Sequence, residues 1–343
     1  MSIKNWNAGI IRPVAVAPAG PYQDGAAPGV WTLDQVAFWT KQGLWPTAGN
    51  SQRGLFGGGF IAANTNVIQY INISSVGNAI DFGDLTLART NLSSCASNVR
   101  GLFGGGYTSA VNNTIDYITI LTTGNAVDFG DLISATEKIA GCSSTTRGVF
   151  GGGRIPTFTN VIQYVTIATT GNALDFGDLL SVTGDLASCS STTRGIFGGG
   201  LIAGGTVTNV IQFITISSVG NATDFGDLTT PTYILTSCSS NVRGLFAGGT
   251  PTTVSFLNVI EYITIATAGN ALDFGDLTVA RRNLSSCSSR TRGVFGGGIA
   301  TGANRSNVID YVTIETLGNA VDFGDLLDAT TELAACSNAH GGL

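Results

Sequence analysis

The chain has 343 residues, of which only 11% are charged, and a net charge of −6. With no Lys/Arg cluster, that balance excludes an electrostatic nucleic-acid stripe, and a hydrophobic share of 43% excludes a disordered chain. No apolar run reaches about 18 residues, so no membrane insertion is expected, and residues 1–6 lack the apolar core of a secretory signal.

Residues 1–50 form a segment of their own. They hold all four tryptophans (Trp6, Trp31, Trp39, Trp45) and five of the eight prolines. Residues 10–28 are rich in Pro, Gly and Ala and read as extended. Thr32 with Gln35 fits a capping box, so a short helix is expected over about 33–42, ending at Gly43. Tryptophans are enriched at binding anchors, and the segment reads as an attachment peptide that docks on another protein. The plainer alternative is that its helix packs onto the rest of the chain.

From residue 51 to 343 one block of about 47 residues repeats. Its marker, Arg53-Gly54-Leu55-Phe56-Gly57-Gly58-Gly59, returns at Arg100, Arg147, Arg194, Arg243 and Arg292, at intervals of 47, 47, 47, 49 and 49 residues. Within the block from Asn91 to Ile133, four strands are expected. The first, 92–97, is small and Ser-rich, and the second, 101–106, ends in the triple glycine. The third, 114–121, is β-branched and aromatic, and the fourth, 127–132, carries Asp-Phe-Gly-Asp. Thr123-Gly124-Asn125 is a tight turn. Four antiparallel strands per repeat predict a propeller blade.

The ends of the array predict closure. Nothing before Arg53 resembles a first strand, while Leu333–Asn338 repeats it without a following second strand. The expected fold is all-β: a six-bladed propeller closed when the C-terminal strand joins the first blade. Closure removes the bare edges an open array would expose.

Six cysteines (Cys95, Cys142, Cys189, Cys238, Cys287, Cys336) recur once per block. Equivalent positions in packed sheets stand about 10 Å apart, beyond the roughly 7 Å limit for a disulfide. They are expected to be buried free thiols, which suits folding in a reducing compartment. The six Asp-Phe-Gly triplets lack the Lys and catalytic loop of a kinase, and the glycine runs lack the Lys-Ser/Thr of a phosphate loop. The Asp81-type residues are expected to pair with the Arg53-type residues. His340 is the sole histidine, and no paired carboxylates stand out among Glu137, Glu261, Glu315 and Glu332. No catalytic residue, metal or cofactor is assigned, and an enzyme is not expected.

The repeats differ in two loops. The loop after the second strand spans 60–65, 107–112 and 154–159 in the first three blocks, and the longer 201–208, 250–257 and 299–306 in the last three. The connection from the fourth strand to the next block varies in chemistry. Both should emerge on one face, where loops on a rigid scaffold carry recognition. The candidate ligand-binding residues are Phe60, Tyr107, Arg154, Phe158, Tyr233, Phe256, Arg282 and Arg305. Aromatics beside Arg suit a glycan or protein surface.

The block resembles a kelch repeat. The diglycine is Gly57-Gly58 and its copies. The third-strand Tyr is Tyr70, Tyr117, Tyr164, Tyr262 and Tyr311, with Phe213 once. The fourth-strand aromatic is Phe82, Phe129, Phe176, Phe225, Phe274 and Phe323 rather than Trp. The connecting Arg survives at Arg89 and at Arg281 or Arg282. The low divergence between blocks, and the segments 29–35 and 43–46, resemble virion appendage proteins of marine tailed phages, especially cyanophages. The resemblance implies a tail fibre or similar virion structural protein, assembled in the host cytoplasm. It implies attachment to other virion proteins through Trp6, Trp31, Trp39 and Trp45, host-surface binding by the propeller, and a homo-oligomer. The alternative is a baseplate, neck or capsid-decoration part without a ligand.

Overall fold

The computed structural model describes residues 52–252 and 255–343, and nearer the N-terminus only positions 5–6, 9–10, 32, 34–35 and 38. The chain divides into two units, Met1–Ser51 and Gln52–Leu343.

In the first unit, Asn5–Trp6 pairs with Gly9–Ile10 in an antiparallel ribbon. Thr32 N–H donates to Gln35 Oε1 at 2.9 Å, and Gln35 N–H donates to Thr32 Oγ1 at 3.3 Å. That reciprocal pair is a capping box, and Asp34, Gln35 and Phe38 have helical backbone. No helix is delimited there among the described residues, so the helix expected over 33–42 reduces to its cap and these positions. Trp31, Trp39 and Trp45 lie outside the described residues, as does the side chain of Trp6.

The second unit is all-β and propeller-like: four-stranded antiparallel sheets recur, six among the described residues. They are numbered here by their second strands, which begin at Arg53, Arg100, Arg147, Arg194, Arg243 and Arg292. The second sheet runs Ser93–Ala96, Arg100–Gly104, Thr114–Thr119, Val127–Asp131. The first sheet takes its inner strand, Ala334–Ser337, from the far end of the chain, with Gly54 opposite Ser337 and Phe56 opposite Ala335.

Each sheet carries the same bulge. In the second, Ile115 faces Gly130 and Asp116 faces Asp128, leaving Phe129 unpaired. The bulge turns the Phe129 ring inward, where it meets Tyr117 edge-on at 5.9 Å.

The hydrophobic core is divided between the sheets. One cluster joins Leu55, Ile68 and Phe82 of the first sheet to Phe103, Ile118 and Ile120 of the second. Equivalent clusters join each successive pair, and another joins Val294, Ile309 and Phe323 of the sixth sheet to Phe56 and Ile71 of the first. The six thiols lie in these clusters, buried and unpaired. Burial pushes them up, Cys189 and Cys336 to about 12, so they stay protonated and apolar. Each thiol packs on the glycine after a marker Arg, Cys95 on Gly148 for example.

Polar contacts follow the same succession. Gly124 N–H donates to Phe82 O at 2.8 Å and Ala126 N–H to Asp84 O at 2.7 Å, so the turn of one sheet covers the outer edge of the previous one. At Gly83, φ is +146° and a Cβ would stand 2.5 Å from the Gly124 carbonyl, so only glycine fits.

The Asp81-type residues do not pair with the Arg53-type residues. Each marker Arg lies over the third-strand ring of its own sheet, Arg53 at 4.7 Å from the centre of Tyr70. Its guanidinium then reaches a carbonyl of the next sheet: Arg53 Nη1 donates to Ile120 O at 3.1 Å, and Arg292 Nη1 to Ile73 O at 3.0 Å. The carbonyl at the end of the third strand outcompetes the aspartate because Asp81 lies exposed on the outer strand, where water screens its charge.

Candidate functional site: the loop face and its axial mouth

In every sheet the loop after the second strand meets the connection that leads into that sheet. Phe60 bridges Thr331, Tyr107 bridges Thr90, Arg154 bridges Glu137, and Thr250 bridges Tyr233. In the fourth and sixth sheets the contact is a small ladder, with Leu201–Ile202 on Thr183–Gly184 and Ile299–Ala300 on Arg281–Arg282. The two variable regions therefore do share one face. The short hairpins within these loops, such as Arg154–Ile155 with Thr157–Phe158, follow from no repeated sequence signal.

The eight candidate residues all lie on this face, but not all are free. Arg282 stands over the Phe256 ring at 4.7 Å and Arg305 over Phe60 at 5.4 Å. Phe158 packs against Gly184 of the following connection. Tyr107 is 38% exposed, and its carbonyl accepts from Asn64 Nδ2 at 3.1 Å. Arg154 is exposed, and Tyr233 is half-buried beside Thr250. The face thus carries two Arg–aromatic pairs, one joining the loop of the fifth sheet to the next connection and one joining the loops of the sixth and first sheets, plus separate aromatic and cationic positions.

At the centre of this face the structure adds a group that sequence reasoning passes over. Asn91, Lys138, Asp185, Ile234, Asn283 and Glu332 each precede an inner strand, and each has left-handed backbone, with φ between 49° and 58°. Their backbones are linked in turn. Lys138 N–H donates to Asn91 O at 2.9 Å, Asp185 to Lys138 at 3.2 Å, Ile234 to Asp185 at 2.8 Å, Asn283 to Ile234 at 3.1 Å, Glu332 to Asn283 at 3.1 Å, and Asn91 to Glu332 at 3.1 Å. They line a cavity of about 90 Å³ with Ile139 and the five leucines that follow them. The available signal was the one variable residue in front of an aliphatic residue, at the period of the repeat.

The mouth is chemically uneven. Lys138 Nζ lies 3.2 Å from Asp185 Oδ2. Burial raises the Asp185 carboxyl, and Lys138 opposes that rise. Burial likewise raises Glu332, with Lys138 and Arg282 opposing it and Asp185 and Glu137 adding to it. Asn283 Nδ2 donates to Glu332 Oε1 at 3.4 Å and Asn91 Nδ2 to Glu137 Oε2 at 3.3 Å. The mouth thus carries two carboxylates three places apart in the cycle, Asp185 and Glu332, one ammonium at Lys138, and one apolar position at Ile234 beside Asp185.

Behind the mouth the inner strands surround a space of about 130 Å³ lined by serines and Thr236 together with leucines and alanines. Deeper, hydroxyls stitch one strand to the previous one: Ser143 to Ala96 O, Ser190 to Ser143 O, Ser239 to Ser190 O, Ser288 to Ser239 O and Ser337 to Ser288 O, at 2.6–2.8 Å. Residues 340–343 fill the opposite end. Gly341 N–H donates to Ser239 O at 3.0 Å, and Arg290 Nη2 donates to Leu343 O at 2.8 Å. Gly342 N–H donates to His340 Nδ1 at 3.0 Å, which leaves the ring proton on Nε2, 3.2 Å from Ala96 O. Burial lowers the His340 pKa to about 4. His340 is thus a wedge between inner strands.

Arg89 and Arg281 are fully buried, each paired with an aspartate, Asp116 and Asp310. Of the neighbouring Arg281 and Arg282, Arg281 takes the buried place equivalent to Arg89, while Arg282 is half-buried. Among the described residues no group of three or more His, Cys, Asp or Glu is placed to hold a metal ion. The chain matches no known family model and no curated protein.

Proposed function

We propose that residues 51–343 form a closed six-bladed, kelch-like propeller and that its loop face binds a host-surface glycan or protein. The cyclic order of the backbone hydrogen bonds from Asn91 through Glu332 supports closure. The binding reading rests on one observation: an invariant frame brings every variable loop to one face, around a mouth that differs in side chain from sheet to sheet. With the phage resemblance, this makes the protein a non-enzymatic virion appendage, a homo-oligomer anchored to other virion proteins through residues 1–50.

The test is binding of the purified protein to candidate host cells, against a variant with Tyr233, Phe256, Arg282 and Arg305 changed to Ala. Loss of binding with melting nearly unchanged supports the reading. No binding by the wild-type protein, even as an oligomer, sinks it. A purely structural role is favoured by one observation: Arg282 and Arg305 are engaged with Phe256 and Phe60, so part of the face holds itself together. In that case the quadruple variant loses stability rather than binding.

A further inference from the structure

The six left-handed positions at the mouth form a rim set into the loop face. Asp185 is buried, and Asn91, Lys138, Ile234, Asn283 and Glu332 are half-buried. Their circuit of N–H···O=C bonds fixes where each side chain leaves the backbone. The rim is therefore built before a ligand arrives, and little ordering entropy is lost on binding. The cavity within it, about 90 Å³, has room for roughly six to nine waters, about the space of one sugar ring. Residues 340–343 fill the far end of the axis, so the cavity receives the end of a ligand and not a chain passing through.

Five of the six rim side chains are polar, and together they offer both halves of the hydrogen bond. Lys138 donates, Asp185 and Glu332 accept, and the amides of Asn91 and Asn283 do both. A sugar hydroxyl also donates and accepts, so a ring of hydroxyls satisfies this rim without bringing a charge. Bonds from hydroxyls to partly desolvated carboxylates are the strong ones. Lys138 is held by Asp185 at 3.2 Å, whereas Glu332 forms no ion pair among the described residues. An anionic sugar would meet the Glu332 carboxylate with no free ammonium on the rim to offset it. An amine would be repelled by Lys138, whose charge already reaches Glu332. Ile234 is the only apolar rim residue, with Tyr233 half-buried next to it in the chain, a place for the C–H side of a sugar. A protein partner is held by a broader apolar centre than one isoleucine supplies.

We propose, resting on the reading of the loop face as a binding surface, that the ligand is a glycan whose terminal, uncharged sugar seats end-on in the axial rim, bonded by Asn91, Lys138, Asp185, Asn283 and Glu332. The outer loops then meet the sugars behind it.

The test places the full chain on an array of oligosaccharides released from host cells, with standards whose terminal sugars are neutral, uronic or amino. The wild-type protein should be retained on a set that shares one neutral terminal sugar. Capping that sugar with a further residue should abolish retention, and its free methyl glycoside should compete. Glu332→Gln, which is close to isosteric, and Asn283→Ala should each weaken retention by about tenfold, the worth of one good hydrogen bond, with melting nearly unchanged. No retention, retention set by an internal, uronic or amino sugar, or equal retention by both variants overturns the proposal. Host cells separate this failure from failure of the wider reading. Cells that bind the protein after periodate oxidation of their glycans, but not after protease, keep the loop face as a binding surface and overturn the glycan. Cells that never bind it overturn both.

Discussion

The backbone N–H of Asn91 donates to the carbonyl of Glu332 at 3.1 Å, joining the first connection of the repeat array to the last. The same junction carries the Gly54–Ser337 strand pair and the core cluster between the sixth and first sheets. Deleting residues 333–343 removes the strand, the cluster's Leu333 and the His340 wedge together. The melting temperature should fall by roughly 10 °C or more, since a domain of this size loses about 2–4 °C per kcal/mol. Calorimetry of the truncated chain decides it, and unchanged melting would refute closure through this strand.

Glu261 is buried at the position that Asp116 and Asp310 hold in the second and sixth sheets, but Thr232 stands in the place of their partners Arg89 and Arg281. Burial raises its pKa above the ordinary 4.5, with the Thr229 hydrogen bonds opposing that rise. A carboxyl with a raised folded pKa favours folding while both states are protonated and loses that contribution as pH climbs through the folded value. Glu261→Gln should therefore melt like the wild type at pH 4 and higher than it at pH 7. A gap that closes with rising pH would contradict the assignment.

Cys95 and Gly148 divide one packing site between adjacent sheets. Gly148→Ala drives a methyl into the Cys95 sulfur and should cost about 1–3 kcal/mol, the usual range for overpacking. Cys95→Ala leaves a small void and should cost less. In the double variant the methyl enters the space left by the sulfur, so its cost should fall below the sum of the two. Urea denaturation of all four proteins measures the coupling, and strict additivity would disprove the contact.

His340 has its pKa lowered to about 4 from the ordinary 6.5. The unfolded chain takes up a proton near 6.5 while the folded protein resists until about 4. Stability from this residue is thus lost as pH falls from 6.5 to 4, by roughly 2–3 kcal/mol. Melting of His340→Gln should show a shallower slope across that window. A slope equal to that of the wild type would place the acid sensitivity elsewhere.

The repeat, its four strands and the C-terminal partner of the first sheet were legible because they rest on periodic residues: Phe103 in the core, Gly83 against a turn, Cys95 on a glycine. What was not legible rests on backbone. Arg53 looked made for Asp81, yet its acceptor is Ile120 O, and a carbonyl leaves no mark in the side-chain pattern. The left-handed positions at the mouth escaped for the same reason. Glycine usually announces such a conformation, and here Asn, Lys, Asp, Ile, Asn and Glu occupy it. Ile234 is the extreme case, since a β-branched residue at φ 49° is disfavoured. Of the predicted surface residues, the sequence located the face, but the pairing of Arg282 with Phe256 depends on how the fifth sheet's loop meets the connection that follows it.

The strand Arg53–Gly57 leaves Gln52 at one face and delivers Phe60 to the other, with hydrogen-bonded neighbours on both sides. A tether pulling at Gln52 against a ligand held on the loop face would load this strand along its length. Its bonds to Ala334–Ser337 and to Val67–Asn72 would then bear the load in shear, all at once, instead of opening one after another. Resistance to such a pull is set by the rate of unfolding under force rather than by equilibrium stability. Under such a pull the first sheet, which holds both ends of the array, would be the element that resists unfolding.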